Sequence, residues 1–162
     1  MLGLDRGHAL RRDDVEKAYL ARAAAAHPDR VAGHDAATQR RALEASAAIN
    51  EAYRVLRDPV SRLEYLVKLG GIDLDSSDPQ TGAPSPDQAF LMDMIERREQ
   101  LGDARAKGQA AAEAFRAEVE EAEEDALDRA TAAFDGGDLR GAAQWLVHRR
   151  YWQRLLAEIE GD

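Results

Sequence analysis

No stretch of this 162-residue chain alternates apolar and polar residues with β-branched enrichment. That absence constrains the fold most, because a half-buried strand needs a period of two. Alanine recurs throughout instead, and apolar residues return at helical spacing. Ile49, Ala52, Tyr53 and Leu56 stand at i, i+3, i+4 and i+7, on one helix face. The pattern predicts an all-α fold with helices near 12–26, 37–57, 60–70, 86–105, 108–134 and 138–160. Asp13 or Asp14 is the expected cap of the first. Asp58-Pro59 ends the second, since proline disfavours helix in the residue before it. Gly70-Gly71 stops the third. Asp135-Gly136-Gly137-Asp138 combines a stop with a new N-cap, which predicts an antiparallel hairpin of the last two helices.

Charge divides the chain. Residues 1–75 hold 12 basic and 12 acidic side chains, so the remainder carries the whole net charge of −9. The shift falls in a stretch with Pro79, Gly82, Pro84 and Pro86. Such composition reads as a loop. The expected organisation is one domain over 1–75, a linker at 76–86, and a three-helix bundle over 87–162. An acidic chain is a poor match for phosphate backbones, so nucleic acid is not an expected partner. No apolar run nears the ~20 residues that span a bilayer, so no membrane partner is expected either. Absence of cysteine removes disulfides and thiolate metal ligation and fits a reducing compartment. The expectation is a cytoplasmic protein.

Between the first two helices lies His27-Pro28-Asp29-Arg30. Alone, such a tripeptide reads equally well as an ordinary helix-stop turn. Its context is more specific. The second helix ends in Ile49-Asn50-Glu51-Ala52-Tyr53-Arg54-Val55-Leu56-Arg57-Asp58-Pro59, followed by Arg62 and Tyr65-Leu66. This combination, in this order and spacing, resembles the J-domain. Val67 to Leu74, Phe90 to Leu101 and Arg150 to Leu155 extend the likeness to the HscB family, J-type co-chaperones of iron–sulfur cluster assembly.

The resemblance implies a chaperone-binding site at His27, Pro28, Asp29, Arg22 and Arg30. In J-domains this loop docks on a DnaK-like ATPase, here of the HscA type. Its aspartate competes for an arginine at the chaperone's interdomain linker, which promotes ATP hydrolysis. By the resemblance, Asp29 would take that role here. Pro28 would stiffen the turn, and His27 would shape it without transferring a proton. Arg11, Arg12 and Lys17 add to the basic face. Ala23–Ala26 depart from the longer polar side chains and the aromatic common in relatives, which implies weaker electrostatic steering.

A second surface follows from the same likeness. Residues 90–95 read Phe-Leu-Met-Asp-Met-Ile, too apolar for one helix face. Phe90, Met94 and Leu101 share a stripe; Leu91, Met92 and Ile95 fall partly off it. A helix buried on two sides would explain this as well as an exposed patch does. In the last helix Trp145, Trp152, Leu156 and Ile159 form a stripe, with Tyr151 turned about 100° away. By resemblance, Leu91, Met92, Ile95, Glu96, Glu99, Arg150 and Tyr151 would bind the scaffold protein IscU, as a monomer on family precedent.

Other classes fit less well. There is no nucleophile elbow, phosphate loop or metal-spaced cluster, so no enzyme, cofactor or metal site is expected. Glu118 to Asp125 reads as a solvated acidic face, and His8, His34 and His148 as isolated surface residues. A stacked oligomerisation module would leave the His-Pro-Asp turn unexplained. A general J-domain co-chaperone serving a different client remains the nearest alternative.

Overall fold

The computed structural model describes residues 2–4 and 7–161. Six α-helices carry the fold: α1 Arg12–Ala25, α2 Ala36–Arg57, α3 Pro59–Leu69, α4 Gln88–Lys107, α5 Gln109–Asp135 and α6 Leu139–Glu160. Among the described residues there is no strand, only one isolated parallel bridge between Asp73 and Gly82. The chain forms two compact units that divide between Leu66 and Val67. The proline-rich stretch 76–86 therefore lies within the second unit.

In the first unit α1 packs on α2. The cap of α1 is Arg11, with no side-chain hydrogen bond. Asp13 and Asp14 sit at the second and third helical positions instead, in the first turn, where their charge meets the positive end of the helix dipole. Asp35 caps α2 by accepting from Ala37 and Thr38 N–H, both at 3.0 Å. A further 2.8 Å bond from the Thr38 hydroxyl helps hold the Asp35 carboxyl below its usual range. Asp58 leaves α2 and, through its carboxylate, accepts from Ser61 N–H at 2.7 Å to start α3.

The second unit is built on the α5–α6 hairpin. Glu123 meets Arg149, and Glu160 meets Arg116, at 2.5 and 2.8 Å. These pairings run in opposite directions along the two helices, so the hairpin is antiparallel. Its turn needs Gly137, whose φ of 80° is costly for any side chain. Gly137 and Asp138 N–H then close on the Phe134 and Ala133 carbonyls. Asp138 caps α6 by accepting from Gly141 N–H at 2.8 Å. The core gathers Met94, Leu101, Phe115, Val119, Ala126, Trp152 and Leu155, with Phe90, Ala122, Trp145, Leu156 and Ile159 packed around it. Burying each large member contributes roughly 1.5–3 kcal/mol.

Residues 70–87 are a folded loop. Asp73 N–H donates to the Thr81 carbonyl at 2.7 Å, and Ala83 N–H to that of Ser76 at 2.9 Å. Asp78 accepts from Gln80 N–H, Thr81 N–H and the Thr81 hydroxyl, which lowers its pKa. Leu74, Gly82 and Pro84 are buried.

Candidate functional site

Pro28 forces the residue before it out of helical geometry, and His27 is extended at φ −63°, ψ 129°. A single 3-10 turn follows, Pro28–Val31, with proline where a missing N–H costs nothing. His27 caps it. Its Nδ1 accepts from Asp29 N–H at 3.3 Å. Its carbonyl accepts from Arg30 N–H at 3.1 Å. Arg30 reaches back to the Ala24 carbonyl at 3.4 Å.

The Asp29 carboxylate projects from this frame. Its side chain is 90% exposed, and its Oδ2 stands 3.6 Å from His27 Nδ1. A carboxylate so presented on a pinned backbone is open to a planar guanidinium. Arg22, in the last turn of α1, is exposed, as are Arg11, Arg12 and Lys17.

Residues of the I-N-x-A-Y segment join the two helices that flank this turn. Tyr19 of α1 stacks on Tyr53 of α2, centroids 4.1 Å apart, and its hydroxyl donates to Asn50 Oδ1 at 3.0 Å. Arg62 is buried and donates to the Leu56 and Leu10 carbonyls at 2.9 Å and to that of His8. Burial lowers its pKa. Asn50, Tyr53 and Arg62 are thus structural parts of the first unit. Gln39, which no sequence motif marks, donates from Nε2 to the Ala32 and His34 carbonyls at 3.0 and 2.9 Å.

The second group of residues lies on α4. Asp87 caps this helix through Phe90 N–H at 2.8 Å. Phe90 and Met94 face inward, which turns Leu91, Met92 and Ile95 outward, 38%, 51% and 50% exposed. They are a surface patch, not a second core face. Glu96 and Glu99 are exposed beside them. Arg97 and Arg98 are held by Asp93, Glu118 and Glu158.

On α6, Tyr151 is half-buried. Its ring meets Phe90 edge-on at 5.7 Å and lies under the Arg154 guanidinium. Arg150 is half-buried too, and donates to the Leu74 carbonyl and Asp75 Oδ1, both at 3.0 Å. The geometry therefore joins the five α4 residues on one helix surface, relates Tyr151 to them through Phe90, and ties Arg150 to the 70–87 loop. His148 departs from the expected surface position. It is buried, stacked on Phe90 and hydrogen-bonded to Gln144 at 2.9 Å. Burial pushes its pKa down. Among the described residues, no cluster of three or more His, Asp or Glu side chains could hold a metal ion.

Known proteins share this arrangement. The DnaJ domain family matches residues 1–65, and the family described as HSCB C-terminal oligomerisation domain matches residues 86–160. The co-chaperone HscB homolog of Burkholderia mallei is 36% identical over 93% of this chain and 85% of its own length. That of Bordetella pertussis is 44% identical over 75% and 69%. The chain belongs to the HscB family of J-domain co-chaperones. HscB from Vibrio cholerae superposes with a TM-score of 0.78 at 27% identity, over 99% of this chain and 93% of that one. Human HscB has the same fold, with a TM-score of 0.79 at 24% identity, over 98% and 78%. Within the HscB frame, the His-Pro-Asp turn falls inside the DnaJ match and the α4 patch inside the HSCB match. No helix of the described residues is long and apolar enough to cross a membrane.

Proposed function

We propose that this co-chaperone stimulates the ATPase of an HscA/DnaK-like chaperone through Asp29, and delivers an IscU-type iron–sulfur scaffold to it on α4. The observation that carries this reading is the exposed Asp29 carboxylate on a turn whose backbone is pinned at His27. Arg22 and Arg30 flank it as cations for the chaperone's surface. Pro28 fixes its own φ, so little chain entropy is lost on docking.

Leu91, Met92 and Ile95 supply an apolar centre for the scaffold, rimmed by Glu96 and Glu99. Tyr151 borders it through Phe90, and Arg150 acts from behind by holding the 70–87 loop. Holding both partners raises the scaffold's effective concentration at the chaperone. The division of labour follows the two units, the chaperone-facing turn on the first and the scaffold-facing patch on the second, in a cytoplasmic monomer.

A chaperone ATPase assay tests the reading. Asp29→Asn should abolish stimulation while scaffold binding stays intact; full stimulation by this variant would falsify the assignment. A J-domain co-chaperone with a different client would stimulate equally but show no scaffold binding by calorimetry.

A further inference from the structure

We infer that Gln39 is a positioning residue for Asp29. The inference rests on the proposed chaperone-docking role and extends it to a residue outside the His-Pro-Asp turn. Both amide hydrogens of Gln39 are used, one on the Ala32 carbonyl at 3.0 Å and one on that of His34 at 2.9 Å. Since both partners are carbonyls, only the nitrogen of the amide can face them.

The chain of bonds continues to Asp29 itself. Ala32 N–H donates to the Asp29 carbonyl at 3.4 Å, and His34 N–H to that of Val31 at 2.9 Å. The turn is therefore secured from both sides. His27 Nδ1 grips Asp29 N–H at its start, and Gln39 grips its exit from the first turns of α2. Asp35 fixes where α2 begins, and so where the Gln39 side chain can reach.

Without the Gln39 amide, two carbonyls lose their donor and turn to water. The turn then samples more orientations. Docking affinity falls by the fraction of time that Asp29 is correctly placed. At saturating concentration the chaperone is fully docked to the competent turn, so the maximal rate should be largely kept.

Full-length Gln39→Met and Gln39→Lys separate this role from packing. Methionine keeps the length and helix propensity of glutamine but donates nothing. Lysine restores donors on a chain long enough to reach both carbonyls. In chaperone ATPase titrations, Gln39→Met should raise the half-saturating concentration about 3–10-fold with little change in maximal rate, following the drop in competent fraction. Gln39→Lys should return it to within about twofold of the parent. Unchanged half-saturation in Gln39→Met overturns the proposal. So does equal loss in both variants, which marks a packing role.

Amide relaxation by NMR reads the same turn without the chaperone. Residues 29–34 should gain fast motion in Gln39→Met but not in Gln39→Lys. If the parent chain fails to stimulate any chaperone while this contrast holds, the docking role fails and the positioning stands. If the contrast is missing, the positioning claim fails by itself.

Discussion

The rings of Phe90 and His148 lie face to face, centroids 3.7 Å apart and planes within 2°. One comes from the first turn of the helix that carries the exposed patch, the other from the middle of α6. The stack sits where Trp145 also meets His148 edge-on at 5.2 Å. An imidazole so enclosed is favoured neutral, and burial outweighs the pull of nearby Asp87.

This sets a direction for pH dependence. The His148 pKa is lower in the folded chain than in the unfolded one, where it lies near 6.5. Below that value the unfolded chain takes up a proton that the folded chain resists. Stability should therefore fall as pH drops through about 6.5. His148→Phe keeps an aromatic partner for Phe90 and removes the titration. Urea midpoints at pH 7.5 and 5.5 should differ less in this variant than in the parent. An equal difference would put the acid sensitivity elsewhere.

Leu91, Met92 and Ile95 should be replaceable together by alanine without loss of fold. Exposed changes of this kind cost within about 0.5 kcal/mol each. Met94, one residue away and 1% exposed, offers the contrast. Met94→Ala should cost roughly 2–5 kcal/mol by opening a cavity. Thermal melts followed by circular dichroism compare the two, and scaffold binding should weaken in the triple variant while its melt stays near the parent's.

Arg62 satisfies the carbonyls of His8, Leu10 and Leu56 with one guanidinium. Arg62→Met fills similar space but leaves three half-buried acceptors without that donor. A fully buried unsatisfied group costs about 1–3 kcal/mol and one that water reaches costs less, so for three half-buried carbonyls a loss of roughly 2–4 kcal/mol is expected. Urea unfolding of the full chain measures it. A loss under about 0.5 kcal/mol would show that these carbonyls are served by water.

For Arg150, hydrogen exchange gives the sharper reading. Arg150→Ala removes the donor to Leu74 and the partner of Asp75. Amides of the 73–83 loop should exchange severalfold faster, with α5 and α6 unchanged. Unaltered loop exchange together with weakened scaffold binding would return Arg150 to a direct contact.

The helices were readable to within a residue or two because their ends are written locally. Pro59, Gly71, Gly137 and Asp138 act on their own backbone or on the next few residues. The exception is α1. Asp13 and Asp14 look like caps, yet Arg11 takes the position, since acidic residues favour the first turn as well as the cap. In α6 the aromatic stripe was visible, but Leu146 and Leu155 are the more deeply buried.

The amino-acid order by itself determined an all-helical chain, a stiff His-Pro-Asp turn between two helices, and membership of a recognisable family. Those features depend on near neighbours, through proline's ring, glycine's freedom and helical period. Tertiary packing decided the rest. It turned Leu91, Met92 and Ile95 to solvent because Phe90 and Met94 claimed the core. It drew His148 inside and committed Arg150 to a loop 75 residues earlier. It set Gln39 beneath the turn. Each of these rests on a partner far along the chain or across a loop, and burial is a property of what packs there, not of the residue alone.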